Sequence, residues 1–445
     1  MTKSRSASTG KTRSMNRTSN AVPAVSRRSF TAATAATLSA TMVHSSIAAN
    51  EETQELRLGI IGCGGRGTGA MDNSLSINSG VRLVAAADLY GRNCASLWTK
   101  MRAVHPDKVA ATDTSHEGLE GYKRVLDSPD VDVVLVTSTP GFHPVHARAA
   151  VAAGKHVFVE KPACVDPAGY RLCCAAHDEA VAKGLAIVCG TQYRRQTNYI
   201  GAVEQIRQGV IGDVIAATTR YCSTGIWYRP RTEGMSDAEY QLNNWYHFVW
   251  LSGDQLVEQG VHNLDVINWV MGENPVSAYG SGGRFTRPED SELWDSFSID
   301  YEYPGGRFVS FQSRHLPGTA SDVGSVIYGS KGTCHIGAAN AGSRIVDRSG
   351  NAVWEMKGSI ADAYKQEHKD LIDSIRANKP IVELRQMADS SLVGVMGRMA
   401  AYTGQKVTLK FVAEESQLDL FPKDLTWQSS LPTVGFALPG KTKLI

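Results

Sequence analysis

The run KHVFVEKPACVD, residues 155–166, carries an apolar stretch into Glu160, Lys161 and Pro162. Proline has no N–H for a sheet ladder, so it stops the strand and leaves Lys161 at its carboxyl end. In an open parallel α/β sheet, ligands bind at that edge. A second stretch, GIIGCGGRGTGA, holds Gly62-x-Gly64-x-x-Gly67 between a strand pattern and a helix pattern. Glycines at this spacing let the backbone turn tightly and approach a pyrophosphate, while the helix start offers N–H donors and a positive dipole end. Cys63, Gly65 and Arg66 complete the loop. Asp88 closes the next strand pattern, where a carboxylate takes ribose hydroxyls. Asp88 favours NAD because it repels a 2′-phosphate, and Arg92 close by leaves NADP open. Without that setting the pattern would be only a glycine-rich turn.

A third stretch, LSGDQLVEQGVHNLDVINWVMG, places Glu258 and His262 four apart, on one face of a helix, with Asp265 near the same side. By itself this suits a solvated Glu–His pair or a core histidine as well as a catalytic one. STPGFHP sets Ser138, Thr139 and Pro140 on the ligand edge, where they line the nicotinamide side of a dinucleotide; Glu160, Lys161 and Gln192 belong to the same wall. His143, on that wall, and His146 open a helix that either would equally well cap. Tyr193, Arg194 and Arg195 follow a later strand pattern, on the substrate side. Trp227, Tyr228, Tyr240, Trp245, Tyr246 and Trp250 crowd just before the third stretch, offering either platforms for sugar rings or ordinary packing.

The elements that must position these residues alternate. Apolar strand patterns over 56–62, 81–88, 131–139, 155–160 and 185–190 are separated by helix patterns. Near-continuous apolar strands between helices imply a parallel sheet covered on both faces, a doubly wound Rossmann domain over residues 50–184. After Ile211 the texture shifts to strand-like segments bounded by Gly, Pro and Asp. These predict an α+β domain with a large, mainly antiparallel open sheet over 185–412. One strong helix over 251–271 interrupts it, and a helical region over 361–402 follows. Residues 413–445 show little periodicity and read as a surface-wrapping extension.

Hydrophobic residues make up 42% of the chain and charged ones 20%, as in ordinary globular proteins. The net charge of +2 hides an asymmetry: residues 1–50 hold seven Lys/Arg and no Asp/Glu, leaving 39 basic against 44 acidic residues in the body. That acidic body gives nucleic acid no basic face. Residues 1–49, with twin arginines in SRRSF, a modest apolar run and small residues at Ala48 and Ala49, fit a twin-arginine export signal, hence the periplasm or cell exterior of a bacterium. No apolar run is long enough for a stable membrane anchor. The eight cysteines include no C-x-x-C pair, so no metal site is expected, and disulfides cannot be assigned from spacing.

Taken together, Gly-x-Gly-x-x-Gly, Glu-Lys-Pro and Glu258-x-Gly260-x-His262-x-x-Asp265 resemble the Gfo/Idh/MocA oxidoreductase family. VIGDVIAATTRY, VIYGSKGT and GRMAAYTGQKV resemble its later segments, and NNWYHFVWLSGD resembles a secreted branch. The resemblance implies that Lys161 and His262 are catalytic, that the Lys161–Pro162 bond is cis, and that Glu258 stands where the family often has Asp. In that chemistry a neutral histidine takes the proton of a secondary hydroxyl, Glu258 orients His262, and Lys161 steadies the substrate oxygen. Tyr193, Arg194, Trp245 and Asp265 then contact a carbohydrate or polyol. The expected activity is hydride transfer between that hydroxyl and NAD(P). An exported enzyme lacks a cytoplasmic NAD pool, so a tightly held cofactor is expected. An NAD-dependent glycosidase working by transient oxidation and elimination is the alternative, and a sugar- or nucleotide-binding sensor a third reading. The exposed face of the second sheet suits a homodimer or homotetramer.

Overall fold

A computed structural model of the protein describes residues 55–445; residues 1–49, read from sequence as an export signal, lie outside them. Six strands form one parallel sheet: β1 (Leu56–Ile61), β2 (Val81–Asp88), β3 (Ser115–Glu117), β4 (Val133–Val136), β5 (His156–Val159) and β6 (Ile187–Cys189). Their order is β3-β2-β1-β4-β5-β6. Burial on both faces explains their apolar runs. Along β4, Val133 and Leu135 join Leu58 and Ile60 on one side, while Val134 and Val136 join Val157 and Val159 on the other. Strand order reverses between β1 and β4, which opens a crevice at their carboxyl ends.

The parallel sheet extends beyond the segment 50–184. Because β6 pairs with β5 in the parallel sheet, the first domain runs past residue 184 to Cys189. Later chain also returns to it. The helix Ile360–Arg376 sends Leu371 and Ile372 into the core on one face of the sheet. On the other face, the helix Leu384–Thr403 contributes Leu384, Met387 and Ala388. Both apolar faces of the first sheet are therefore completed by segments assigned from sequence to the second domain.

Nine further strands build the second sheet: β7 (Val214–Ser223), β8 (Ser277–Gly283), β9 (Ser296–Glu302), β10 (Phe308–His315), β11 (Asp322–Gly329), β12 (Gly332–Gly337), β13 (Ser343–Asp347), β14 (Ala352–Met356) and β15 (Val407–Thr408). The order is β14-β13-β12-β11-β7-β10-β9-β8-β15. Only β7 and β10 run parallel. Val309 and Phe311 on β10 face a core closed by the helices of this domain.

The helix expected over 251–271 is three pieces: Val249–Ser252, Gln255–Glu258 and Val261–Met271. Gly253 ends the first at φ +75°, and Asp254 at φ +66° opens the second, its carboxylate accepting from Gln255 N at 2.6 Å. Glu258 and His262 thus lie on separate helices. Residues 416–445 contain no helix or strand and wrap the surface. Leu420 N donates to Asp166 Oδ2 at 2.6 Å, Trp294 Nε1 donates to the Ala437 carbonyl at 3.0 Å, and Phe421 meets Phe142 edge-on at 5.2 Å.

Candidate active site

The glycines of the first turn do different things. Gly62 adopts φ +98°, and a Cβ there would press on the Thr137–Ser138 backbone at 2.6 Å. At Gly67 a Cβ would strike the Gly62 carbonyl, so this glycine lets the helix Gly65–Ile77 pack against the end of β1. Gly64 and Gly65 have open space before them. Thr137 Oγ1 donates to the Gly62 carbonyl at 2.6 Å and braces the turn from β4. Asp88 accepts from Cys63 N at 2.7 Å, Asn93 Nδ2 at 2.8 Å and Tyr90 N at 2.9 Å, which fixes its carboxylate at the end of β2. Thr139 Oγ1, Gln192 Oε1 and Arg66 Nη2 are buried with no protein partner. An open glycine cradle, an anchored carboxylate and orphaned polar atoms on one wall fit a dinucleotide.

Across a cavity of about 1060 Å³ from this turn stand the groups suited to catalysis. Lys161 follows β5, and the Lys161–Pro162 bond is cis. Its Nζ donates to Glu258 Oε1 and to the Glu258 carbonyl, both at 2.7 Å. The pair is largely buried, with side-chain exposures of 14% and 8%. Glu258 does not reach His262 by any hydrogen bond; the break before Val261 turns the carboxylate toward Lys161, so its expected role of orienting His262 is corrected. His262 sits 5.5 Å from the Tyr193 ring, which stacks on Tyr199 at 4.3 Å. Burial, then the positive charges of Lys161 and Arg66, hold His262 well below the usual histidine value, so it is neutral near pH 7. Arg66 is ion-paired to Glu160 at 2.6 Å and lies over the Tyr364 ring at 4.5 Å.

The cavity brings together Gly62, Gly64, Gly65, Arg66, Gly67, Asp88, Ser138, Thr139, Pro140, His143, Glu160, Lys161, Gln192, Tyr193, Trp245, Glu258 and His262. Cys63 is an exception: its N–H serves Asp88, but its side chain turns into the core beside Cys94. Arg194 and Asp265 are also misplaced by the sequence reading. Arg194 pairs with Asp265 at 2.7 and 2.9 Å, and Ser390 Oγ donates to the same carboxylate at 2.9 Å, so both side chains are spent on packing outside the cavity lining. His143 is a clamp, with one ring nitrogen 2.7 Å from the Pro162 carbonyl and the other 2.8 Å from that of Ser138. Among the crowded aromatics, Tyr240 and Trp250 enter a small core with Phe142 and Phe248, and Trp245 lines the cavity. Sequence reasoning missed Tyr221, Gln259, Ile360 and Tyr364 on the substrate side. Only the amphipathic pattern near 361 pointed toward Tyr364, and it carried no chemical signal.

Comparison with known proteins decides the family. Residues 56–184 match the model of an oxidoreductase family with an NAD-binding Rossmann fold, and residues 199–335 match the GFO/IDH/MocA C-terminal domain. Together these segments span more than half of the chain. The chain belongs to the GFO/IDH/MocA oxidoreductase family. It is similar to inositol 2-dehydrogenase 3 of Saccharopolyspora erythraea, 25% identical over 79% of this chain and 90% of that one. Inositol 2-dehydrogenase of Burkholderia lata is 25% identical over 73% of this chain and 87% of its own length. In fold it is similar to myo-inositol 2-dehydrogenase from Lactobacillus plantarum, with TM-score 0.62, 20% identity, and 80% of this chain and 99% of that one covered. As a GFO/IDH/MocA member it is an NAD-binding oxidoreductase.

Proposed function

We propose that the protein oxidises a secondary hydroxyl of a cyclic polyol, sugar or glycoside, holding its dinucleotide between turnovers. The observation that carries this reading is the Lys161–Glu258 pair facing the same cavity as a neutral His262, opposite the glycine cradle. The relatives named inositol 2-dehydrogenase support a ring polyol as the substrate class. Gly62, Gly64, Gly65, Gly67 and Asp88 would hold the dinucleotide, with Thr139 and Gln192 offering their orphaned polar atoms. When bound, NAD supplies the hydride acceptor. His262 takes the hydroxyl proton at a ring nitrogen, and Lys161 donates a hydrogen bond to the substrate oxygen as it gains charge. Glu258 keeps the ammonium aimed through its hydrogen bonds. Tyr193 and Trp245 offer flat faces to a ring, and Tyr364 narrows the opposite side.

Export through the twin-arginine segment supports a retained cofactor, because that route carries folded proteins and the exterior offers no NAD pool. Replacing Arg27 and Arg28 by lysine should leave the protein in the cytoplasm; unchanged export would remove that support. The activity itself is tested by native mass spectrometry of the purified protein, followed by ring polyols, sugars and aryl glycosides. Retained NAD and a reduced-nicotinamide absorbance band with a ring polyol or sugar are expected. Aglycone release without net reduction would replace this reading with a redox-neutral glycosidase. Tight binding with no spectral change would replace it with a sensor.

A further inference from the structure

Two thiols meet beneath the dinucleotide turn. Cys63 lies between Gly62 and Gly64, and Cys94 lies on the helix Gly91–Val104 that follows Asp88. Their sulfurs are 3.8 Å apart, and the residues are 3% and 0% exposed. A disulfide requires about 2.05 Å, so the sulfurs start less than about 2 Å from bonding distance. The Cys63 thiol also donates to the Ala87 carbonyl at 3.5 Å, as the Cys173 thiol does to that of Ala163, but Cys63 additionally has a second thiol in contact. The position is also mechanically significant. Cys63 N–H is bound to Asp88, which also accepts from Asn93 at the start of the Cys94 helix. A bond between these sulfurs would tie the turn, the ribose carboxylate and the helix into one closed unit.

We propose that Cys63 and Cys94 form a reversible disulfide that staples the dinucleotide turn to the following helix and slows cofactor release. The thiol contact lowers Cys94 and raises Cys63, because Cys63 can donate to a Cys94 thiolate. With a peroxide as oxidant, the Cys94 thiolate attacks the O–O bond and becomes a sulfenic acid, releasing one water after protonation. Cys63 then displaces the sulfenic oxygen as a second water, forming the S–S bond. Two thiols are oxidised by two electrons, and one hydrogen peroxide is reduced to two waters. Closing the link restricts the turn that must loosen for the dinucleotide to leave. The effect on release rests on the dinucleotide reading of this turn; formation of the link does not.

The test treats the full-length purified protein with hydrogen peroxide, alkylates the remaining thiols and digests with trypsin. The expected product joins peptides 58–66 and 93–100, lacks two hydrogens and separates with dithiothreitol. NAD dissociation, followed by stopped flow in the same samples, should slow severalfold on oxidation and recover on reduction. Cys94→Ser, or Cys94→Ala should the serine variant fail to fold, should abolish both changes. Separate alkylation of both cysteines in peroxide-treated, folded wild-type protein would overturn the staple. A cross-linked protein that binds NAD yet releases it at the reduced protein's rate would overturn its role. Slowing that persists in the Cys94 variant would do the same.

Discussion

At the scale of single residues, the site depends on two partners that no local pattern joins. Lys161 and Glu258 are 97 positions apart, and Arg194 and Asp265 are 71 apart. Spacing within a helix suggested Glu258–His262 and a substrate-facing Asp265, but tertiary packing assigned both acids to distant cations. The family pattern offered Lys161 and His262 as candidates, since a strand end and a motif are local features. His262→Ala should lower kcat by about 10²–10⁴-fold, the usual contribution of a positioned base, with NAD affinity kept. Its depressed pKa also sets the direction of the pH profile. The neutral ring is the working form, so the acid limb of kcat/KM should fall below pH 6.5, where a free histidine would already be half protonated. Lys161→Met removes one charge that depresses it. NMR titration of His262 in that variant should move up in pH, and a titration unmoved or shifted down would show that Lys161 does not act on it.

Elements carry the next layer, and here the fingerprint was legible because glycine answers to backbone geometry. Two of its members make opposite predictions. Gly64 is extended at φ −67° and faces open space, so Gly64→Ala should melt within about 0.5 kcal/mol of wild type while NAD binds less tightly. At Gly67 a Cβ collides with the Gly62 carbonyl, a backbone atom with nowhere to go. Gly67→Ala should therefore cost about 1–3 kcal/mol of stability, the range for overpacking, besides weakening NAD. Thermal melts with and without NAD separate the two effects, and equal melting points for both variants would refute the distinction. The broken helix before Val261 was less legible. An apolar stripe over 251–271 conceals two successive residues at positive φ, and only SGD hinted at them. Asp254, at φ +66° and ψ 165°, is held in a region normally reserved for glycine while its carboxylate accepts from Gln255, Trp294 and Tyr402. Two long-range partners and a local cap outweigh helical propensity.

At the scale of the whole molecule, the described residues fold as an interleaved body. Helices after Ser359 close both faces of the first sheet, and the extension then returns to the cofactor edge. Apolar periodicity revealed these helices but not which sheet they cover, since burial against either domain leaves the same stripe. The extension had no periodicity, because it is held by scattered anchors. Leu420 binds Asp166, which also caps the helix Pro167–Lys183 through Gly169 N at 2.6 Å; Leu431 accepts from Gln241 Nε2 at 2.6 Å; Phe421 fills the cluster of Phe142 and Trp250. Between these anchors, Trp427 lies 5.7 Å from the Tyr90 ring, and its Nε1 is 3.9 Å from where a Gly118 Cβ would stand. Tyr90 and Gly118 line the cavity beside Asp88, so the extension braces that end of the cavity from outside. Trp427→Ala should then cost about 1–3 kcal/mol as half-buried aromatic area is lost. NAD should dissociate severalfold faster, while kcat at saturating NAD stays unchanged. Phe421→Ala supplies the comparison: it loosens the same extension from its anchor at Phe142, away from Tyr90, and should lower stability with a smaller change in NAD release. Equal effects of the two substitutions on NAD release would mean that the extension stabilises the fold generally and has no particular hold on the cofactor.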